Sequence, residues 1–106
     1  MKVLLDENLP HDLRHRVTGH DVFTVAFKRW SGIKTGALLR LAADDGFDVM
    51  VTLDDGVAYQ QNTASLPLAV VILSALSGDI DDLLPLVPAL LVRLSQIAPR
   101  SFARVP

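Results

Sequence analysis

The chain has 106 residues, 50% of them apolar, with 10 Lys and Arg against 12 Asp and Glu, a net charge of −2 and no cysteine. The length reads as one domain, residues 1–106, with a core of its own. The charge balance and missing cysteines exclude a broadly basic nucleic-acid coat, a disulfide framework and a thiolate metal site, but leave room for a local basic patch. No apolar run approaches the roughly 18 residues of a membrane span. Asp6 and Glu7 interrupt the opening apolar residues too early for a signal peptide, so a cytoplasmic protein without membrane contact is expected.

Val3-Leu4-Leu5 reads as a short strand buried on both faces, ending at Asp6-Glu7-Asn8. Leu9, Leu13 and Val17 recur at i, i+4 and predict a helix over 9–17, with Asn8 as its N-cap, Pro10 in its first turn and Thr18-Gly19-His20 as its stop. Residues 21–26 are β-rich and close a βαβ unit. A loop over 27–34 carries Lys28, Arg29, Trp30 and Lys34. Residues 35–45 read as a helix with Thr35 as N-cap and Gly46 just past its end. A strand over 47–53 ends at Asp54, and a short helix is expected over 55–62. The dense apolar run 66–73 reads as a central strand, with Pro67 tolerated near its start. Asp79 or Asp81 can cap an opening turn over 79–83, followed by a main helix over 85–96 and an edge strand over 101–105. The string β-α-β-α-β-(α)-β-α-β predicts an α/β fold, a three-layer α/β/α sandwich on a mainly parallel sheet.

Asp6 and Asp54 each end a strand, and parallel winding brings such ends to one edge, where open α/β sheets bind ligands. Two converging carboxylates suit Mg²⁺ or Mn²⁺, hard cations that take oxygen ligands and keep several waters. Glu7, the single glutamate, is a possible third acid, and Thr52 stands where its hydroxyl could orient Asp54. The plainer alternative is that the acids only cap the turns that follow. Lys28, Arg29 and Lys34 could meet phosphates and Trp30 could stack on a base; equally, this is an exposed loop with Trp30 resting on the sheet edge. His11 and His15 are spaced like metal ligands but lack a third, and fit a solvated helix face; His20 fits packing in a turn. Tyr59, Gln60, Gln61 and Asn62 could line a pocket or form a polar helix surface.

Met1-Lys2-Val3-Leu4-Leu5-Asp6-Glu7-Asn8-Leu9-Pro10, then Gly19-His20-Asp21-Val22, then Val51-Thr52-Leu53-Asp54 resemble the small PIN-like domains, related to VapC-type toxin nucleases. The resemblance implies an acidic Mg²⁺ or Mn²⁺ pocket, ribonuclease chemistry with Asp6, Asp54 and Glu7 as catalytic acids, an RNA substrate and a small DNA-binding antitoxin. Asp6 matches the first-strand aspartate, Glu7 and Asn8 the residues after it, and Asp54 the acid closing a Thr-x-Asp motif. Two positions depart: Thr35 and Gly56 stand where many relatives carry aspartate, and Asp55 is expected to point elsewhere.

Two other readings compete. A PIN-like module with a degenerate acidic site would bind RNA or a partner without cleaving. A phospho-receiver domain would use Asp54 as acceptor and Ser74 as switch hydroxyl, but 101–106 lacks the lysine such domains carry on their last strand. A homodimer is compatible with either.

Overall fold

The computed structural model describes residues 1–57 and 63–106. Five strands form one all-parallel sheet: β1 (Lys2–Leu5), β2 (Asp21–Thr24), β3 (Val49–Thr52), β4 (Ala69–Leu73) and β5 (Phe102–Val105), in the order β2-β1-β3-β4-β5. The helices whose full span lies among the described residues are α1 (Thr35–Asp44), the short α2 (Ile80–Leu83) and α3 (Val87–Gln96), with 3-10 turns at His11–His15, Thr63–Ser65 and Leu84–Leu86. None of the described helices is long and apolar enough to cross a membrane. Ala58 to Asn62, and with them most of the helix expected over 55–62 and the polar run Tyr59 to Asn62, lie outside the described residues.

Side-chain alternation divides the core in two. Val3, Leu5, Val49, Val51, Ala69, Val71 and Leu73 face one side of the sheet, covered by Leu9, Leu13 and Val17 and by Leu83, Leu90 and Leu94. Leu4, Met50, Val70 and Ile72 face the other, covered by Leu38, Leu39 and Ala42 of α1 together with Phe47, Val57 and Leu66. The inner strands are therefore apolar on both faces, as a buried parallel sheet requires. The β1-to-β2 and β4-to-β5 connections cover the same face, yet step across the sheet in opposite directions. They must be of opposite hand, so one departs from the usual right-handed winding.

Several local expectations change. The helix expected over 9–17 contracts to a 3-10 turn at His11–His15, closed by i to i+3 bonds from Leu13 N to Pro10 O (3.1 Å) and from Arg16 N to Leu13 O (2.9 Å). Asn8 does not cap it, because its side chain is engaged by β3. Thr35 begins α1, but the cap position belongs to Lys34, without a side-chain bond. Gly46, at φ +88°, ends that helix in the left-handed region that glycine tolerates. Pro85 falls in the 3-10 turn and Pro88 in the first turn of α3, where a missing N–H costs no helical bond.

Lys2 and Lys28 both reach the Asp45 carboxylate, at 3.3 and 2.8 Å, and Lys2 also lies 4.4 Å from the Phe47 ring centroid. The hydrogen bonds from Lys28 and then Lys2 hold the Asp45 carboxyl below its usual range. A carboxyl depressed in the folded state stabilises above its unfolded pKa, and that contribution fades as pH falls through the folded value. Asp45→Asn is therefore expected to make the fall in urea stability below about pH 4 shallower, with little change at neutral pH in high salt. Paired urea titrations at neutral and acid pH would show it; an unchanged acid slope would rule it out.

Candidate active site at the β1–β3 edge

After β1 the chain turns towards β2, and after β3 it turns the other way towards β4, so the loops diverge above the β1–β3 boundary. In doubly wound sheets this divergence opens the ligand crevice at the carboxyl ends. Leu5 lies in register with Val51, which places Asp6 and Thr52 next to each other as the strands end.

Thr52 is fully buried and its hydroxyl organises the site. It accepts hydrogen bonds from Asn8 Nδ2 and Asp54 N, both at 3.1 Å, and donates to Asp6 Oδ2 at 2.8 Å. With both lone pairs engaged, its one proton can go only to Asp6. Thr52 thus orients the Asp6 carboxylate, and not that of Asp54 as its spacing suggested. The other Asp6 oxygen accepts Glu7 N at 2.9 Å, and Asn8 Oδ1 accepts Leu53 N at 3.3 Å. Because Leu53 N can only donate, it also fixes which end of the Asn8 amide faces Thr52.

Asp54 is exposed, and its Oδ1 accepts Gly56 N at 2.8 Å in a tight turn. Glu7 is exposed too, with Oε1 3.4 Å from Gly32 N, which tethers the tip of the 27–34 loop to the acidic edge. Asp55 does point elsewhere, to Arg104 of β5. Gly78 closes the far side: a Cβ there would sit 3.0 Å from Asn8 O and 3.4 Å from a Leu53 methyl. That close approach has no sequence signal beyond the glycine itself.

The basic loop divides. Arg29 and Lys34 are exposed, and neither has an ion pair among the described residues. The Lys28 ammonium turns away to Asp45, which it shares with Lys2 at the opposite end of β1 from Asp6. Trp30 packs edge-on against Phe47, centroids 5.9 Å apart, so its ring belongs to the sheet edge. His11 and His15 are solvent-exposed, and His20 keeps a buried Nδ1 without a hydrogen-bond partner among the described residues.

The oxygen donors at this edge match a hard cation in kind. A carboxylate has about four acceptor positions, and Asp6 and Asp54 retain some of theirs after the bonds above. No group of three or more His, Cys, Asp or Glu side chains that could hold a metal ion converges among the described residues, so the edge is thinner in ligands than a three-carboxylate site. Thr35 and Gly56 supply no further acid. No family model, curated protein or solved structure matches the chain.

Proposed function

We propose that the chain is a PIN-like α/β/α domain acting as a Mg²⁺- or Mn²⁺-dependent ribonuclease, the toxin of a pair whose other member is a small DNA-binding antitoxin in the same cytoplasm. The observation that carries this reading is the fully buried Thr52 hydroxyl directed onto the Asp6 carboxylate at 2.8 Å. A carboxylate at a strand end needs only water to be stable; fixing its orientation from beneath is what a metal ligand requires.

In this reading Asp6 and Asp54 would hold the cation. When bound, it polarises a phosphoryl oxygen and lowers the pKa of an attacking water. Asn8 and Thr52 keep Asp6 in place, and Glu7 draws the loop bearing Arg29 and Lys34 to the edge, where both can meet RNA phosphates.

Receiver domains use the same 2-1-3-4-5 strand order. Here, however, β5 presents Arg104, paired with Asp55, where those domains present lysine. The deciding experiment is RNA cleavage under Mn²⁺ titration for the parent chain, Asp6→Asn and Asp54→Asn. Cleavage that survives either substitution, or no Mn²⁺ binding at millimolar concentration, would overturn the nuclease reading. RNA binding without cleavage, indifferent to both changes, would identify a degenerate binding module, and acetyl-phosphate labelling of Asp54 a receiver.

A further inference from the structure

At the free edge of β2 a cleft of about 120 Å³ is lined by His11, Arg14, Val22, Phe23, Thr24 and Phe27. It is smaller than the roughly 300 Å³ of an ordinary small-molecule site, and suits a single planar group against one wall. That wall is Phe27, 65% exposed, its ring 5.8 Å from that of Phe23. The backbone beneath is satisfied: Phe27 N donates to Thr24 Oγ1 and Lys28 N to Thr24 O, both at 3.1 Å. The turn therefore holds Phe27 outward.

The charge of the cleft is one-sided. Arg14 has no ion pair among the described residues, His11 is exposed beside it, and no acid lines the cavity. An exposed aromatic face beside an unpaired guanidinium is the combination that binds single-stranded nucleic acid, by stacking a base and meeting the adjacent phosphate. Position supports the same ligand. Thr24 is in register with Leu5, so the cleft opens one strand away from Asp6, along the same carboxyl edge.

We infer that this cleft seats one base of a single-stranded RNA, stacked on Phe27, with Arg14 and His11 at its phosphate. The inference rests on reading RNA as the ligand of the Asp6 edge, and it gives the strand a path from that edge towards β2. It moves the stacking role from Trp30, which is packed on Phe47, to Phe27, and the phosphate role from Lys28, whose ammonium is turned to Asp45, to Arg14.

The test is fluorescence anisotropy of a labelled oligouridylate in EDTA, which prevents cleavage, at several salt concentrations. Phe27→Ala should weaken binding about tenfold at every salt concentration with an unchanged salt slope, and Phe27→Trp should restore it. Arg14→Ala should lower the slope of log K against log salt by about 0.7. Since both side chains are exposed, the variants should keep the parent's circular dichroism. Parent-like affinity in Phe27→Ala would overturn the inference, as would a change in oligomeric state alone, which would assign the cleft to a second copy. Phe27-dependent binding without Mn²⁺-dependent cleavage would keep the cleft and discard the nuclease; cleavage indifferent to Phe27 would do the reverse.

Discussion

Asp54→Asn is expected to leave stability within about 0.5 kcal/mol of the parent and to reduce the proposed Mn²⁺-dependent RNA cleavage by about a hundredfold. Among the described residues the Asp54 side chain makes one hydrogen bond, accepting Gly56 N, and an asparagine oxygen can keep it. What disappears is the negative charge. Asp6→Asn is not its equivalent, although the substitution is formally the same. Both Asp6 oxygens accept, one from Glu7 N and one from the Thr52 hydroxyl. An asparagine there must turn its NH₂ to one of these donors, and the Thr52 oxygen already accepts two N–H groups. That mismatch is expected to cost about 1–3 kcal/mol. Asp6→Asn should therefore lose both stability and cleavage, and Asp54→Asn cleavage alone. Urea unfolding beside the cleavage assay separates them. If both variants were as stable as the parent, the hydrogen-bond network drawn around Thr52 would be wrong.

Leu13→Ala is expected to cost about 3 kcal/mol, within the range for truncating a buried leucine. The turn that carries Leu13 has little intrinsic stability: it is five residues of 3-10 helix, and the residue at its N-cap, Pro10, makes no side-chain capping bond. Leu13 is its fully buried anchor, supported by Leu9 and Val17 on either side. The loss should be local as well as global, with amide hydrogens of 11–17 exchanging far faster in the variant than those of β3 or β4. A stability loss below about 1 kcal/mol would show that this crossover is not held to the sheet by its leucine. Because Arg14 and His11 ride on the same turn, the variant should also bind single-stranded RNA less well.

Much of the fold is legible in the residues, for identifiable reasons. Strands β1, β3 and β4 are apolar on both faces and bounded by polar or turn residues, so period and length agree. Helix α1 runs Thr35–Asp44 against an expected 35–45, because apolar spacing and Gly46 mark the same stop. The 9–17 segment misleads: its i, i+4 apolar spacing fits a helix, but Pro10 is extended (ψ 143°) and Asn8, the expected cap, is held at the end of β3, so the helical turn begins only at His11. Strand β2 ends at Thr24, because the hydroxyl and carbonyl of that residue take the N–H groups of the following turn.

The candidate site is legible in part. Asp6, Thr52 and Asp54 could be placed at strand ends on one edge from the pattern alone, but not that Asn8, expected as a helix cap, bonds Thr52 beneath Asp6. Which carboxylate Thr52 serves could not be read, since that depends on register between β1 and β3. The fate of Lys28 and Trp30 was equally hidden. Both are within a few residues of the acidic edge in order along the loop, yet Asp45 and Phe47, contributed by the next connection, draw them to the other end of the sheet.

The shared face of the first and last crossovers bears on the order of assembly during synthesis. The buried residues behind the sheet run from Leu4 to Ile72, so that core can close once β4 has emerged, with Phe102 of β5 added last. The core in front needs Leu83, Leu90 and Leu94, and until they leave the ribosome Leu9, Leu13 and Val17 have no helix to meet. The Asp6–Thr52 bond joins strands from the early part of the chain, whereas Gly78 seats against Asn8 only when the late part arrives. Translation would thus deliver the acidic edge first and the loop that closes it last.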